Sequence, residues 1–385
     1  MRNIFALISV AFVLYIFTFY MDGEMGVIIG AFILMAFLFS LASAKYGSKR
    51  IKVSFDCDAY VRKGSELEID VAVEKEGTFP LAFVEIQIGV SETFEQNDNI
   101  YRLSMVTENR TDFKIKIPSV IGGNGSVYIK SVRSCGFLGF VKFNIKDNIP
   151  DSKIVGVIPE IPDISASSGL FRSVADAVMT SDDDEENDTV MMFSANTSPG
   201  YEHREYIAGD SLKRINWKLS SKTNKLMVRL DEAASVVQPC ILLDLNRNSG
   251  EDIISSLKRE ERLLRSVFGL LECLIKQGIA CTFLYRSADG GIAVENADNP
   301  DCVPQILLKV LSVAVANDSR IDTAGLTENA CACILAVSHI TDSYAGSTAS
   351  RENTCAIVPC AEDVPAVHIP VWYMDDDNNF RQVKS

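Results

Sequence analysis

Cys240-Ile241-Leu242-Leu243-Asp244-Leu245 is an apolar run closed by one carboxylate. An amphipathic stretch follows from Ile253 to Gln277, and then comes Ala280-Cys281-Thr282-Phe283-Leu284-Tyr285. The first and third segments have the length and composition of buried strands. The middle one places Leu257, Leu264, Val267, Leu271 and Leu274 on a single helical stripe that Gly278 stops. The alternation continues with a helix expected over Val303 to Ala316. Further strands are expected at Cys333–Val337, Cys355–Val358 and His368–Tyr373. Strands separated by helices of this length build a mainly parallel sheet with both faces covered. Residues 233–385 therefore read as an α/β domain.

Outward toward the N-terminus the period changes. Glu68 to Glu74 and Phe113 to Ile117 alternate apolar with charged residues, Gly122-Gly123-Asn124-Gly125 is a turn, and Val127 to Val132 is another strand. Short runs of this kind with no helix among them predict an antiparallel β-sandwich over 51–160. Residues 161–200 are rich in Ser, Asp, Asn and Gly and include Asp182-Asp183-Asp184-Glu185-Glu186, so they read as an acidic flexible segment.

At the N-terminus, residues 4–20 and 25–44 carry no charge, and Met21-Asp22-Gly23-Glu24 separates them. Each run approaches the roughly 20 apolar residues that span a bilayer, and a polar reversal between them makes a two-helix transmembrane hairpin over 1–46. A cleaved signal sequence ending at Ala42-Ser43-Ala44 is the alternative, and the second apolar run argues against it. Arg2 before the first run and Lys45, Lys49, Arg50 and Lys52 after the second put both outer ends, and with them the body, on the cytoplasmic side. The ten scattered cysteines suit reduced, buried thiols. A formal charge of −14, from 37 basic and 51 acidic residues, argues against a general nucleic-acid binder.

Residues 201–232 break this acidic pattern. From Arg204 to Arg229, Arg204, Lys213, Arg214, Lys218, Lys222, Lys225 and Arg229 stand against only Glu205 and Asp210. Gly209-Asp210 reads as a turn with Asp210 capping a helix, on which Leu212, Ile215 and Leu219 share one face while Arg214 and Lys218 lie together. Such an island with one indole, Trp217, suits an acidic partner, a phosphate or an anionic headgroup. The alternative is internal bracing: Arg204 or Arg214 paired with Asp210, and Trp217 wedged between domains.

The run Arg204-x-Tyr206-x-x-Gly209-Asp210-x-x-Lys213-Arg214-Ile215-x-Trp217-Lys218, with Leu226-Met227-Val228 after it, resembles the signature of the family called domain of unknown function fifty-eight. Gly136-Phe137-Leu138-Gly139-Phe140 and Val157-Ile158-Pro159 extend the resemblance over most of the chain. Ala208 and Ser220-Ser221-Lys222 depart from the family pattern. The resemblance implies a von Willebrand A-like α/β domain in a bacterial membrane protein, and a MoxR-type AAA+ ATPase as partner in assembling or maturing an envelope complex. It also directs attention to a Mg²⁺ site at the end of the first α/β strand, where this chain reads Asp244-Leu245-Asn246-Arg247-Asn248-Ser249. Hard oxygen donors suit Mg²⁺, but asparagines replace both serines and Arg247 adds a cation. Asp244, Asn246 and Asn248 are thus a degenerate candidate site, and no cofactor is otherwise expected.

No nucleophile elbow, P-loop, zinc-protease motif or dinucleotide fingerprint occurs. The leading expectation is a non-enzymatic, membrane-tethered scaffold that binds its partner through Arg204, Tyr206, Gly209, Asp210, Lys213, Arg214, Trp217, Lys218 and Lys222. Two alternatives stand beside it. One is an anion- or nucleotide-responsive enzyme built on the basic motif, and the other is a Mg²⁺-dependent adhesion domain built on Asp244.

Overall fold

The structure is a computed structural model. It describes residues 2–20, 23–77, 80–96, 98–106, 108–147, 149–183, 197–207, 215–223, 225–233, 238–248, 250–317, 321, 330–339, 353–362, 364 and 369–383.

Two apolar helices open the chain, α1 (Arg2–Tyr20) and α2 (Gly23–Gly47). At 25 residues α2 is long and apolar enough to cross a membrane. It starts earlier and runs further than the uncharged stretch, taking in Glu24 and Lys45. Its last turns lose their exposure: Ser40, Ser43, Ala44 and Gly47 are buried against the body, and Ser43 Oγ donates to the Pro80 carbonyl at 2.9 Å.

The body begins with a two-sheet sandwich. Strands β1 (Ile51–Cys57), β3 (Glu66–Lys75) and β6 (Arg110–Pro118) form one sheet in the order β1-β3-β6. The other runs β2 (Tyr60–Arg62), β9 (Lys153–Ile158), β7 (Gly123–Cys135), β4 (Leu81–Val90), β5 (Ile100–Met105), with β8 (Lys142–Ile145) also on β7. All pairings are antiparallel except β2 with β9. The period-two alternation explains the packing. In β3, Leu67, Ile69, Val71 and Val73 point inward, where they meet Val84, Ile86, Val127 and Val155 of the facing sheet in one core.

The acidic segment contains a correction. Residues Gly169–Asp183 form helix α3, and Leu170, Phe171, Val174 and Ala177 are buried in the α/β core. The spacing of Leu170, Val174 and Ala177 by four and three is helical, and burial of that face outweighs the polar composition around it. Residues 184–196, with most of the acidic run, lie outside the described residues.

Strand β10 (Thr197–Glu205), helix α4 (Trp217–Thr223) and strand β11 (Met227–Ala233) form a separate small unit. The α/β domain then unfolds along the chain as β12 (Cys240–Asp244), β13 (Asn246–Arg247), α5 (Ile253–Lys276), β14 (Cys281–Arg286) and β15 (Ile292–Ala297). It continues with α6 (Cys302–Leu311), β16 (Ala316–Asn317), β17 (Cys333–Val337), β18 (Thr354–Val358), β19 (Val371–Met374) and β20 (Phe380–Gln382). The main sheet has the order β15-β14-β12-β17-β18-β19-β20, with a parallel centre and one antiparallel strand at each edge. Helices α3, α5 and α6 all contribute to the cluster on one face. The opposite face, with Leu242, Leu284, Leu335 and Val337, is buried too. Its described cover consists of loop residues such as Ile321 and Ile369, so helices on both faces are not seen among the described residues.

Sandwich and α/β domain are fastened together. Tyr60 Oη donates to the Leu308 carbonyl at 3.1 Å. Asn124 Nδ2 donates to the carbonyls of Leu311 (2.9 Å) and Val313 (2.7 Å), satisfying acceptors left over at the end of α6. Lys63 Nζ meets Glu261 Oε1 at 2.6 Å.

Candidate docking surface

Strands β10 and β11 pair as a two-stranded antiparallel ribbon, with His203 opposite Arg229, Arg204 opposite Val228 and Glu205 opposite Met227. Helix α4 is stitched onto it by two residues that the sequence reading did not single out. Asn216 caps the helix: its Oδ1 accepts from Leu219 N at 3.1 Å, and its own N–H donates to the Met227 carbonyl at 2.9 Å. Ser220 is buried; its hydroxyl donates to the Asn216 carbonyl at 2.8 Å and accepts from Met227 N at 2.9 Å. Ile215 forms a bridge with Val228, and both side chains are buried.

This corrects the expected helix. Its described start is Trp217 with Asn216 as cap, and Ile215 belongs to the ribbon. The tertiary bridge to Val228 holds Ile215 extended where local spacing alone suggests a helical stripe. Gly209, Asp210, Lys213 and Arg214 lie outside the described residues, and so does the expected cap at Asp210.

What the stitching leaves outside is distinctive. Trp217 is 65 % exposed, which sets aside the inter-domain wedge. Ile207 and Leu226 are exposed as well. Lys218 and Lys222, four residues apart on α4, are exposed and form no ion pair among the described residues. Lys225 pairs with Glu205, and Tyr206 is half-buried, its N–H donating to the Leu226 carbonyl at 2.8 Å. An exposed indole and exposed aliphatic side chains together with uncommitted lysines are the residue types enriched at interaction surfaces.

The carboxyl edge of the main sheet contrasts with this. Asp244 is 1 % exposed; Oδ1 accepts from Arg286 Nη2 at 3.1 Å and Oδ2 from Ile321 N at 3.1 Å. Arg247 makes a two-pronged contact with buried Glu260, at 2.5 and 2.9 Å. That hydrogen bond to Glu260 raises the Arg247 pKa further, against the opposing effect of burial. Asn246 donates its N–H to Ser338 Oγ at 3.2 Å, and Asn248 is exposed. His339 Nε2 lies 3.1 Å from Glu251 Oε2, and Arg259 Nε lies 2.9 Å from Glu251 Oε1. This donor set does not fit Mg²⁺. Its one carboxylate already holds a guanidinium, and a second guanidinium, that of Arg247, belongs to the residue between the two would-be asparagine ligands. Among the described residues no three His, Cys, Asp or Glu side chains converge on a common point.

The cysteines are free thiols, six of them buried. Burial pushes Cys135 up to about 11 and both Cys281 and Cys355 up to about 12, so these thiols stay protonated and poorly nucleophilic near neutrality. His203 lies in β10, and His368 lies outside the described residues.

No family model and no curated protein matches the chain. Among solved structures it is similar to the CARDB domain of a Pyrococcus furiosus protein, determined in complex with di-metal ions. That match has 14 % identity and a TM-score of 0.23 over 29 % of this chain and 94 % of that one. It is also similar to a cohesin module from a Clostridium perfringens family 33 glycoside hydrolase (15 % identity, TM-score 0.24, 29 % of this chain and 98 % of that one). A third is native α2-macroglobulin from Escherichia coli, from domain MG7 to the C-terminus (11 % identity, TM-score 0.24, 33 % of this chain and 25 % of that one). At these scores the likenesses bear on neither activity nor partner.

Proposed function

We propose that this chain is a non-enzymatic, membrane-tethered scaffold whose α4 unit docks an acidic protein partner. In this reading α1 and α2 form a hairpin through the bilayer with both outer ends in the cytoplasm, and the α/β domain is von Willebrand A-like. The resemblance of the signature segment names the partner as a MoxR-type AAA+ ATPase and the task as assembly or maturation of an envelope complex.

The observation that carries the reading is the exposure of Trp217 beside two lysines that form no ion pair among the described residues. An indole left in water on a stitched, capped helix costs hydrophobic free energy that a partner would recover on binding. The lysines add steering: a local positive patch on a chain of net charge −14 is repelled least by, and oriented best toward, an acidic surface. The basic motif as an enzyme site is less well supported, because both lysines described in it on α4 are exposed. The adhesion reading loses its ligand to Arg286.

Co-purification of the full chain from its native membranes tests the proposal. The intact chain is expected to retain the ATPase, and Lys218→Glu with Lys222→Glu is expected to abolish recovery. Recovery that ignores the reversal, or no ATPase with either chain, would end the docking reading.

A further inference from the structure

The turn joining β7 to β8 carries three exposed large apolar side chains, and its position relative to α2 gives it a role. Phe137, Leu138 and Phe140 are each about two-fifths exposed, at 39, 42 and 39 %. The tip does not hang free. The Phe137 ring stacks on Phe39 of α2 with centroids 5.6 Å apart, and Leu138 N donates to Ser40 Oγ at 3.2 Å. Gly136 lies so close to α2 that a Cβ there would come within 2.7 Å of the Ser40 carbonyl oxygen.

Helix geometry sets the depth of this contact. At 1.5 Å per residue, Phe39 and Ser40 lie about 6–8 Å inside the Ala44 end of the uncharged run. An apolar face lying in a bilayer interface sits roughly 5–10 Å below the headgroups. The exposed side chains of the turn therefore flank α2 at the level where an apolar surface is stable in lipid and unstable in water.

The backbone of the turn also suits that medium. Gly136 N donates to the Val141 carbonyl at 3.0 Å, Gly139 N to the Gly136 carbonyl at 2.9 Å, and Leu138 N to Ser40. Donors satisfied internally can leave water without the several-kcal/mol penalty of an unpaired amide. Gly139, at φ +70° with open space around its Cβ position, allows the tight reversal. Just beyond the run, Arg50 stacks over the Tyr46 ring at 4.4 Å, an aromatic–cation pair of the kind found at headgroup level.

We infer that the Phe137-Leu138-Gly139-Phe140 tip inserts into the acyl–headgroup boundary of the leaflet that α2 enters, clamping the sandwich in a fixed orientation on the bilayer. The inference rests on the membrane reading of α2. It predicts two points of attachment where a tether alone gives one.

The test uses the full chain in phosphatidylcholine–phosphatidylglycerol vesicles containing brominated acyl chains, with three separate variants. Each is read as emission in excess of the unsubstituted chain. Leu34→Trp reports on α2, Leu138→Trp on the tip, and Tyr128→Trp on β7 about 23 Å further along the strand. The expected result is quenching and a blue shift at positions 34 and 138 and neither at 128. Quenching at 34 alone overturns the inference and leaves the anchor standing. Quenching at none of the three removes the anchor and the inference together, and quenching at all three means nonspecific adsorption and also overturns it.

Discussion

The carboxyl edge of the main sheet and the α4 unit are both rich in charge, and they use it in opposite ways. At the sheet edge every carboxylate of interest has a partner: Asp244 with Arg286, Glu260 with Arg247, Glu251 with Arg259 and His339. On α4, Lys218 and Lys222 have none among the described residues and Trp217 faces solvent. Parallel sheets commonly bind ligands at their carboxyl edge. Here the named carboxylates of that edge are paired from within, and the lysines without an ion pair among the described residues lie on a short helix outside the sheet. The location of uncommitted groups, more than the fold, decides where function is sought.

Breaking the committed side of the comparison should cost the most. Asp244→Asn leaves the Arg286 guanidinium largely buried without its counter-charge, and removal of one partner from such a pair costs about 3–5 kcal/mol. The expected readout is a large fall in the urea midpoint of the full chain in detergent. A midpoint unchanged from the parent would mean that the pair contributes no stability. Arg247→Ala strands Glu260, which is 1 % exposed. Because Arg247 itself is partly exposed, the expected loss is smaller, about 2–3 kcal/mol, read from the same transition.

Glu85 sharpens the comparison inside the sandwich. Its carboxylate is buried, which by itself would raise its pKa. Lys142 at 2.7 Å and Arg102 at 3.0 Å outweigh that jointly and hold it below the ordinary carboxylate range. A depressed folded-state pKa means stability that is present above the unfolded value, about 4.3, and is lost as pH falls through the folded one. Glu85→Gln should therefore cost about 1–2 kcal/mol at neutral pH, with the gap from the parent narrowing as the solution is acidified below that range. A gap independent of pH would contradict the assignment. At the small end, Lys218→Glu with Lys222→Glu should leave the unfolding transition where it was, since exposed substitutions away from special features rarely matter to stability.

Much of the α/β domain was legible because its signals are local. The stripe Leu257, Leu264, Val267, Leu271, Leu274 is buried on α5, and Asp252 caps that helix by accepting from Ser255 N. The sandwich strands were legible for the same reason, in period two. Helix α3 was not, because four apolar residues at helical spacing sit beside a run of acids that dominates the composition. The start of α4 was not legible either. Asn216 is as good a cap by residue type as Asp210, and Ile215, bridging to Val228 across the ribbon, stays out of the helix whose described start is Trp217. Nor could Asp244 announce Arg286, 42 positions away and brought to it by the pairing of β12 with β14. Of the candidate site, the exposed lysines and Trp217 were named in advance, while Asn216 and Ser220, which hold them in place, were not.

In the docking reading, the exposed lysines and the indole of α4 serve a partner and not the fold. Trp217→Ala tests it most directly when unfolding and partner capture are measured on the same full-length preparation. The expected result is an unfolding transition indistinguishable from the parent together with loss of the captured ATPase. A lowered transition, or capture that survives the substitution, would show that Trp217 serves the fold or serves nothing, and the docking surface would have to be sought elsewhere.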